Sequence, residues 1–116
     1  MSRDAKILLS FDVEEFDLPE EFGVSVSPDD RAGVSADGME KVLSVLDRFP
    51  DVRVTFFTTV NFARMNPAVF RRMTGSGRHE IASHGVSHST FDPGDLALSR
   101  KILEELSGRE IGRAHV

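Results

Sequence analysis

Residues 79–88 read His-Glu-Ile-Ala-Ser-His-Gly-Val-Ser-His, and the last two of their three histidines, His84 and His88, are four residues apart. If the backbone turns helically there, side chains with this spacing share one face, so both imidazole rings can present a nitrogen atom to one point. Such a pair of imidazoles is a common way for proteins to bind a divalent metal ion. The spacing therefore favours a metal site at His84 and His88.

A cluster of acidic residues follows the first apolar run of the chain. Residues 10–15 read Ser-Phe-Asp-Val-Glu-Glu, so Asp12 and Glu14 are two apart and face the same side of an ideal strand. A ligand set of one carboxylate and two imidazoles leaves an open position on Zn²⁺ or a similar ion, which is typical of a catalytic site. Such an ion polarises a carbonyl group and activates a bound water, and a second carboxylate must take the proton from that water. One of the two acids can therefore bind the metal while the other acts as the base.

Each pattern also has a structural interpretation. A histidine at the end of a strand more often makes a structural hydrogen bond than binds a metal, and we place His79 and His115 in that class. The acidic cluster of residues 12–17, taken alone, is typical of a solvated loop. Because both patterns occur at the ends of successive predicted strands, we expect them to meet in one site.

Composition limits the class of protein. With 40% hydrophobic and 28% charged residues, the 116-residue chain is typical of one soluble globular domain. A net charge of −5 disfavours a nucleic-acid partner bound through its phosphates, and the absence of cysteine excludes thiolate ligands and disulfides. No segment is apolar enough for a secretory signal or a membrane span, so we expect a cytoplasmic protein with no membrane partner. The sequence does not determine the oligomeric state.

The hydrophobic pattern predicts alternating strands and helices. Strands are predicted at residues 6–11, 52–60 and 79–83, and helices at residues 35–49, 66–75 and 92–108, with a long loop at 16–34 and a fourth strand beginning at 110–111. This order predicts an α/β fold in which right-handed crossovers build a parallel sheet or a barrel wall. Such folds bind ligands at the carboxyl ends of their strands. The two acids and the two histidines all lie at those ends.

Three strand–helix units are too few to close a barrel. The alternation stops at Val116, so we predict that residues 1–116 are the N-terminal portion of a distorted (β/α) barrel, truncated at the C-terminus. By themselves these residues are expected to be inactive or unstable.

Three blocks of sequence resemble the polysaccharide deacetylases, the NodB-homology carbohydrate esterases. They are Phe-Asp-Val-Glu-Glu at 11–15, Val-Thr-Phe-Phe at 54–57, and the block at 79–88, and they occur in the order found in that family. The resemblance implies metal-dependent hydrolysis of an N-acetyl or O-acetyl group on a glycan, with zinc as the expected metal. It also implies a barrel of the deacetylase type.

The resemblance assigns roles by position. Asp12 matches the catalytic base, and His84 and His88 match the two metal-binding histidines. The commonest form of the family has a second aspartate directly after the base, where this chain has Val13. The chain is instead similar to the Asp-x-Asp/Glu variant, which implies that Glu14 is the third metal ligand.

The chain departs from the family after the third block. The family continues with an Arg-x-Pro block, whose arginine orients the base, and later with a histidine that acts as general acid. Residues 112–115, Gly-Arg-Ala-His, are only faintly similar to the first of these, and no counterpart of the second is present. Two other functions stay open: an allantoinase-like amide hydrolase, some of which are thought to need no metal, and a catalytically silent carbohydrate-binding domain that has no need of a base at Asp12.

Overall fold

The structure is a computed structural model and describes residues 5–115. Residues 1–4, part of the N-terminal stretch judged above for a secretory signal, lie outside the described residues, as does Val116. The regular elements are β1 (Ser10–Val13), a 3₁₀ helix (Leu18–Phe22), α1 (Pro28–Asp47), β2 (Thr55–Thr58), α2 (Val60–Met65), α3 (Pro67–Gly75), β3 (Glu80–Ser83) and α4 (Asp95–Ser107). Within residues 5–115 no helix is both long and apolar enough to cross a bilayer.

The three strands form one parallel sheet in the order β1-β2-β3. Asp12 pairs with Phe57, and Phe57 pairs with Ala82, so the carboxyl ends of all three strands lie at the same level. Parallel neighbours need crossover connections, and the helices between the strands provide them. The predicted α/β class with three strand–helix units is therefore confirmed.

The core is formed by one face of the sheet and the apolar faces of the helices. Its residues include Val13, Leu43, Phe56, Phe62, Met73, Ile81 and Leu103, all at most 3% exposed. Burial of these side chains is the main favourable term that holds helices against a small sheet.

Helix α1 begins earlier than the sequence predicted. It starts at Pro28 instead of near Ser35, because the Ser27 hydroxyl accepts a hydrogen bond from the backbone N–H of Asp30 at 3.1 Å. Proline in the first turn lacks only an N–H that would be unpaired there, and Asp29 and Asp30 favour the positive end of the helix dipole. The prediction of a loop throughout 16–34 is therefore wrong for residues 28–34.

The strand boundaries also shift. Residues 6–9 are not part of β1, and Ile7 and Leu8 are 91% and 95% exposed, because pairing with β2 begins only at Ser10. Strand β2 ends at Thr58, since Thr59 caps α2 by accepting a hydrogen bond from Phe62 N–H at 3.2 Å. The third strand agrees with its prediction to within one residue. The predicted fourth strand at 110–111 is replaced by a single parallel bridge between Ser83 and Ala114.

His79 belongs to the core. It is 4% exposed, its ring meets the edge of Phe56, and its Nδ1 accepts a hydrogen bond from the backbone N–H of Val54 at 3.2 Å. Burial, aided by the nearby Arg78 guanidinium, lowers the pKa of His79 below its ordinary value of 6.5. The folded protein therefore favours the neutral ring.

The stability contributed by His79 should be lost in acid. The unfolded chain takes up a proton near pH 6.5, whereas the folded chain takes it up only at a lower pH, so the free energy of unfolding falls as the pH drops through this window. Compared with the His79→Gln variant in urea unfolding from about pH 8 to about pH 5, the wild type should lose up to about 1.4 kcal/mol more per pH unit. If the free energy of unfolding changed with pH in the same way in both proteins, the prediction would be contradicted. The other histidines are present in both proteins, so their titration cancels in the comparison.

Candidate metal centre

A cleft of about 310 Å³ opens at the carboxyl ends of the strands. Its lining residues are Asp12, Glu14, His84, Ser87, His88, Phe91 and His115. The parallel register sets β1 and β3 level with each other, so the residues that follow both strands reach the same space. The structure thus brings all four sequence-predicted site residues into one cleft.

The two acids face the cleft because β1 alternates. Val13, between them, is 2% exposed and points into the core, so its neighbours on either side point the other way. Single ligand atoms of Asp12, Glu14 and His84 lie within 4.8 Å of one another. The Asp12 side chain is 43% exposed and that of Glu14 is 27% exposed, so the first of the two acids is more open to solvent.

His84 and His88 come close together without a helical turn between them. The segment between them is not helical, and Gly85 turns the chain with φ +84°, a conformation that favours glycine. The segment is attached to β2 and α2, since His84 N–H donates to the Thr58 carbonyl at 3.0 Å and Val60 N–H donates to the Gly85 carbonyl at 3.1 Å. The ring centroids of His84 and His88 lie 6.2 Å apart. The prediction that the two residues share a helical face is therefore wrong, although both side chains line the same cleft.

One oxygen atom lies at the centre of this arrangement. Glu14 Oε2 is 2.5 Å from His88 Nε2 and 3.7 Å from His84 Nε2. Among the described residues this buried oxygen has no hydrogen-bond partner. A buried carboxylate oxygen is costly without a compensating partner. One oxygen and two imidazole nitrogens are also donors that zinc accepts, so Glu14, His84 and His88 have the donor types for a divalent metal ion.

Both rings have their other nitrogen engaged. His84 Nδ1 lies 2.7 Å from the backbone carbonyl of His115, and because a carbonyl only accepts, Nδ1 carries the proton. His88 Nδ1 lies 2.5 Å from Asp17 Oδ1. The contact of its Nε2 with Glu14 Oε2 is not a hydrogen bond, so the single proton of the neutral His88 ring is on Nδ1, where the Asp17 carboxylate accepts it. In the neutral rings the Nε2 lone pairs are then free to bind a cation.

Two of these residues were not predicted as site residues. Asp17 belongs to the acidic cluster interpreted as solvated, yet it is 4% exposed; burial, with the nearby Glu15 carboxylate, raises its pKa above the ordinary 3.8. His115 was interpreted as structural, yet its ring stacks on His84 at 5.5 Å and its Nε2 lies 3.7 Å from Asp12 Oδ2. The faint Arg-x-Pro similarity at 112–115 was the one signal near His115, whereas nothing in the sequence marked Asp17.

The arginine of that block lies elsewhere in the structure. Arg113 Nε is 3.3 Å from a Glu80 carboxylate oxygen, and its side chain is 70% exposed. Within the part of the chain that the structure describes, the group facing Asp12 is the His115 ring instead.

The sequence matches a family model over nearly its whole length. The model described as polysaccharide deacetylase matches residues 4–111. This chain belongs to the polysaccharide deacetylase family. A comparison of this chain with curated proteins finds no match.

Solved structures share the fold. A family 4 carbohydrate esterase from Bacillus anthracis aligns with TM-score 0.60 and 20% identity, over 90% of this chain and 44% of its own. A putative polysaccharide deacetylase from Mycobacterium smegmatis aligns with TM-score 0.64 and 28% identity, over 90% and 40%. A CE4 family pseudoenzyme from Bacillus anthracis aligns with TM-score 0.59 and 14% identity, over 90% and 32%. The deacetylase-family chain therefore spans less than half the length of each of these structures.

Glu15 is a buried acid that turns away from the cleft. It is 4% exposed, and its two oxygens accept hydrogen bonds from the Thr59 hydroxyl at 2.9 Å and the Asn61 amide at 2.7 Å. These contacts attach the end of β1 to the start of α2.

Removing the Glu15 carboxylate should destabilise the deacetylase-family chain without affecting its histidines. Glu15→Ala leaves the buried Thr59 hydroxyl and the half-buried Asn61 amide without an acceptor, which should lower the free energy of unfolding by about 1–3 kcal/mol. The exposed Glu21→Ala variant is the control and should change it by less than about 0.5 kcal/mol. Equal urea midpoints for the two variants would show that the buried contacts contribute nothing.

Proposed function

We propose that this cleft belongs to a metal-dependent hydrolase site that removes acetyl groups from an N-acetylated or O-acetylated glycan. The observation that supports the proposal most strongly is the buried, unpartnered Glu14 Oε2 facing the Nε2 atoms of His84 and His88. Membership of the polysaccharide deacetylase family supports the same chemistry.

Glu14, His84 and His88 would hold the metal, for which zinc is the best fit to one oxygen and two nitrogen donors. A bound ion of this kind supplies Lewis acidity to the acetyl carbonyl and acidifies a water molecule. Glu14 suits the ligand role because its Oε2 is buried and already lies beside both rings. His84 and His88 suit it because each has its Nδ1 atom occupied and its Nε2 atom directed at that oxygen.

Asp12 would act as the base. Its side chain is 43% exposed, so water and substrate can reach it, whereas the Glu14 oxygen is buried. As the water oxygen forms a bond to the acetyl carbon, the Asp12 carboxylate takes the water proton. The bond from that carbon to the sugar nitrogen or oxygen then breaks as that atom takes up a proton from the general acid, which the family resemblance places outside the three matched blocks, and acetate is released.

Metal content tests the ligand assignment independently of turnover. After zinc loading and dialysis, elemental analysis should find about one zinc ion per chain in the wild type and in Asp12→Asn, and far less in His84→Ala and Glu14→Ala, because each of the last two removes one of three protein ligands. Ser87→Ala changes a residue of the same cleft that is not a proposed ligand, so it should retain zinc. Unchanged zinc content in His84→Ala would remove that residue from the ligand set.

Turnover is a separate proposal. The family resemblance puts the general acid outside the three matched blocks, so we expect this chain to release little acetate from acetylated chito-oligosaccharides. Any release that remains should fall by about 10²–10⁴-fold in Asp12→Asn, because that variant loses the base. Turnover equal to that of a full-length family member would contradict the first expectation. Release that survives chelation would favour a metal-free amide hydrolase, and glycan binding without hydrolysis would favour a silent binding domain.

A further inference from the structure

We infer that Asp17 is a positioning residue: its side chain fixes the orientation and tautomer of His88 so that Nε2 faces the metal site. The inference rests on the proposed function, and it adds a residue that none of the three matched sequence blocks contains. It is based on the contacts of Asp17, which lie on the opposite side of the His88 ring from Glu14.

The His88 ring is held between two carboxylates. Asp17 Oδ1 lies 2.5 Å from Nδ1, and Glu14 Oε2 lies 2.5 Å from Nε2. Only the Asp17 contact is a hydrogen bond, since Glu14 Oε2 accepts none among the described residues. Because the imidazole ring is rigid, this bond at Nδ1 sets the direction of the Nε2 lone pair and decides which nitrogen carries the proton. Partners of this kind commonly orient metal-binding histidines in proteins.

The loop around Asp17 holds the carboxylate in place. The Asp17 carbonyl accepts a hydrogen bond from Glu20 N–H at 2.9 Å at the start of the 3₁₀ helix, and Phe16 N–H donates to the Arg31 carbonyl of α1 at 2.9 Å. Asp17 therefore joins the loop after β1 to the loop after β3, and the 4% exposure of its residue keeps water from competing for the contact.

Two features of the site allow the effect of an Asp17 substitution to be distinguished from the effects of its neighbours. His84 is oriented by the backbone carbonyl of His115, which no side-chain substitution removes. Glu15, the other buried acid of the same loop, is also 4% exposed but binds Thr59 and Asn61 and no histidine. A change at Asp17 therefore removes one orienting contact, and Glu15→Gln is a matched control for altering a buried acid in this loop.

Zinc affinity is the first measurement, made by calorimetric titration of the wild type, Asp17→Ala, Asp17→Asn and Glu15→Gln. We expect Asp17→Ala to bind zinc about 10–100-fold more weakly, as for other groups that orient a metal ligand. Asp17→Asn should lose less, because its amide oxygen can still accept the Nδ1 proton. Glu15→Gln should match the wild type. Wild-type affinity in Asp17→Ala, or equal losses in Asp17→Ala and Glu15→Gln, would overturn the inference.

The tautomer of His88 is the second measurement and uses the metal-free protein. In ¹⁵N spectra of histidine-labelled protein, we expect a protonated Nδ1 at His88 in the wild type and in Glu15→Gln, and a mixture of the two tautomers in Asp17→Ala. An unchanged His88 signal in Asp17→Ala would overturn the inference. If the wild type binds no zinc, the proposed metal function fails, while the tautomer still shows whether Asp17 orients the ring.

Discussion

The parallel register of the three strands is the constraint on which the site depends. Asp12, Phe57 and Ala82 are aligned across the sheet, so the chain leaves β1 and β3 at one level and on one side of the molecule. A shift of one residue in β1 would turn Asp12 and Glu14 into the core and bring Val13 into the cleft, because side chains alternate along a strand. Burial of Val13 against the helices therefore fixes the direction of the two acids as well as contributing to the core.

The site combines one rigid strand with three loop segments that need fixing by hydrogen bonds. Strand pairing positions Asp12, whereas His84, His88 and His115 lie beyond regular secondary structure. Main-chain hydrogen bonds between the segment after β3 and the end of β2 hold the first two histidines in place. A parallel bridge at Ala114 places the His115 carbonyl beside His84. Buried acids in the loop after β1 complete the arrangement. Polar groups that would be costly when alone in the interior are paired with one another across these loops.

The features that depend on local sequence pattern were predicted correctly. Features that depend on tertiary burial, such as the role of Asp17, were not. The start of α3 was found because a helix that opens with Asn-Pro has a strong local signal, and the third strand was found from its short apolar run. Asp12 of β1 and Glu14 just after it were placed on one face by strand periodicity alone. Asp17 could not be recognised, because an aspartate in an acidic loop looks solvated until the 3₁₀ helix and the histidine segment fold over it. The start of α1 was missed because glycine and proline nearby outweighed the Ser-Pro-Asp-Asp capping signal.

Fold similarity alone does not decide whether this cleft is active. A family 4 carbohydrate esterase and a CE4 family pseudoenzyme align with this chain almost equally well, at TM-scores of 0.60 and 0.59. A backbone that fits both kinds of protein carries no information about catalysis, since function depends on the site placed on a fold. The discriminating features are the side chains: a buried carboxylate oxygen without a partner, two imidazoles each held by its far nitrogen, and an accessible carboxylate beside them. In the proposed function a cation beside both rings would compensate for the desolvation of that oxygen, and without a cation a second proton on the His88 ring would have to do so.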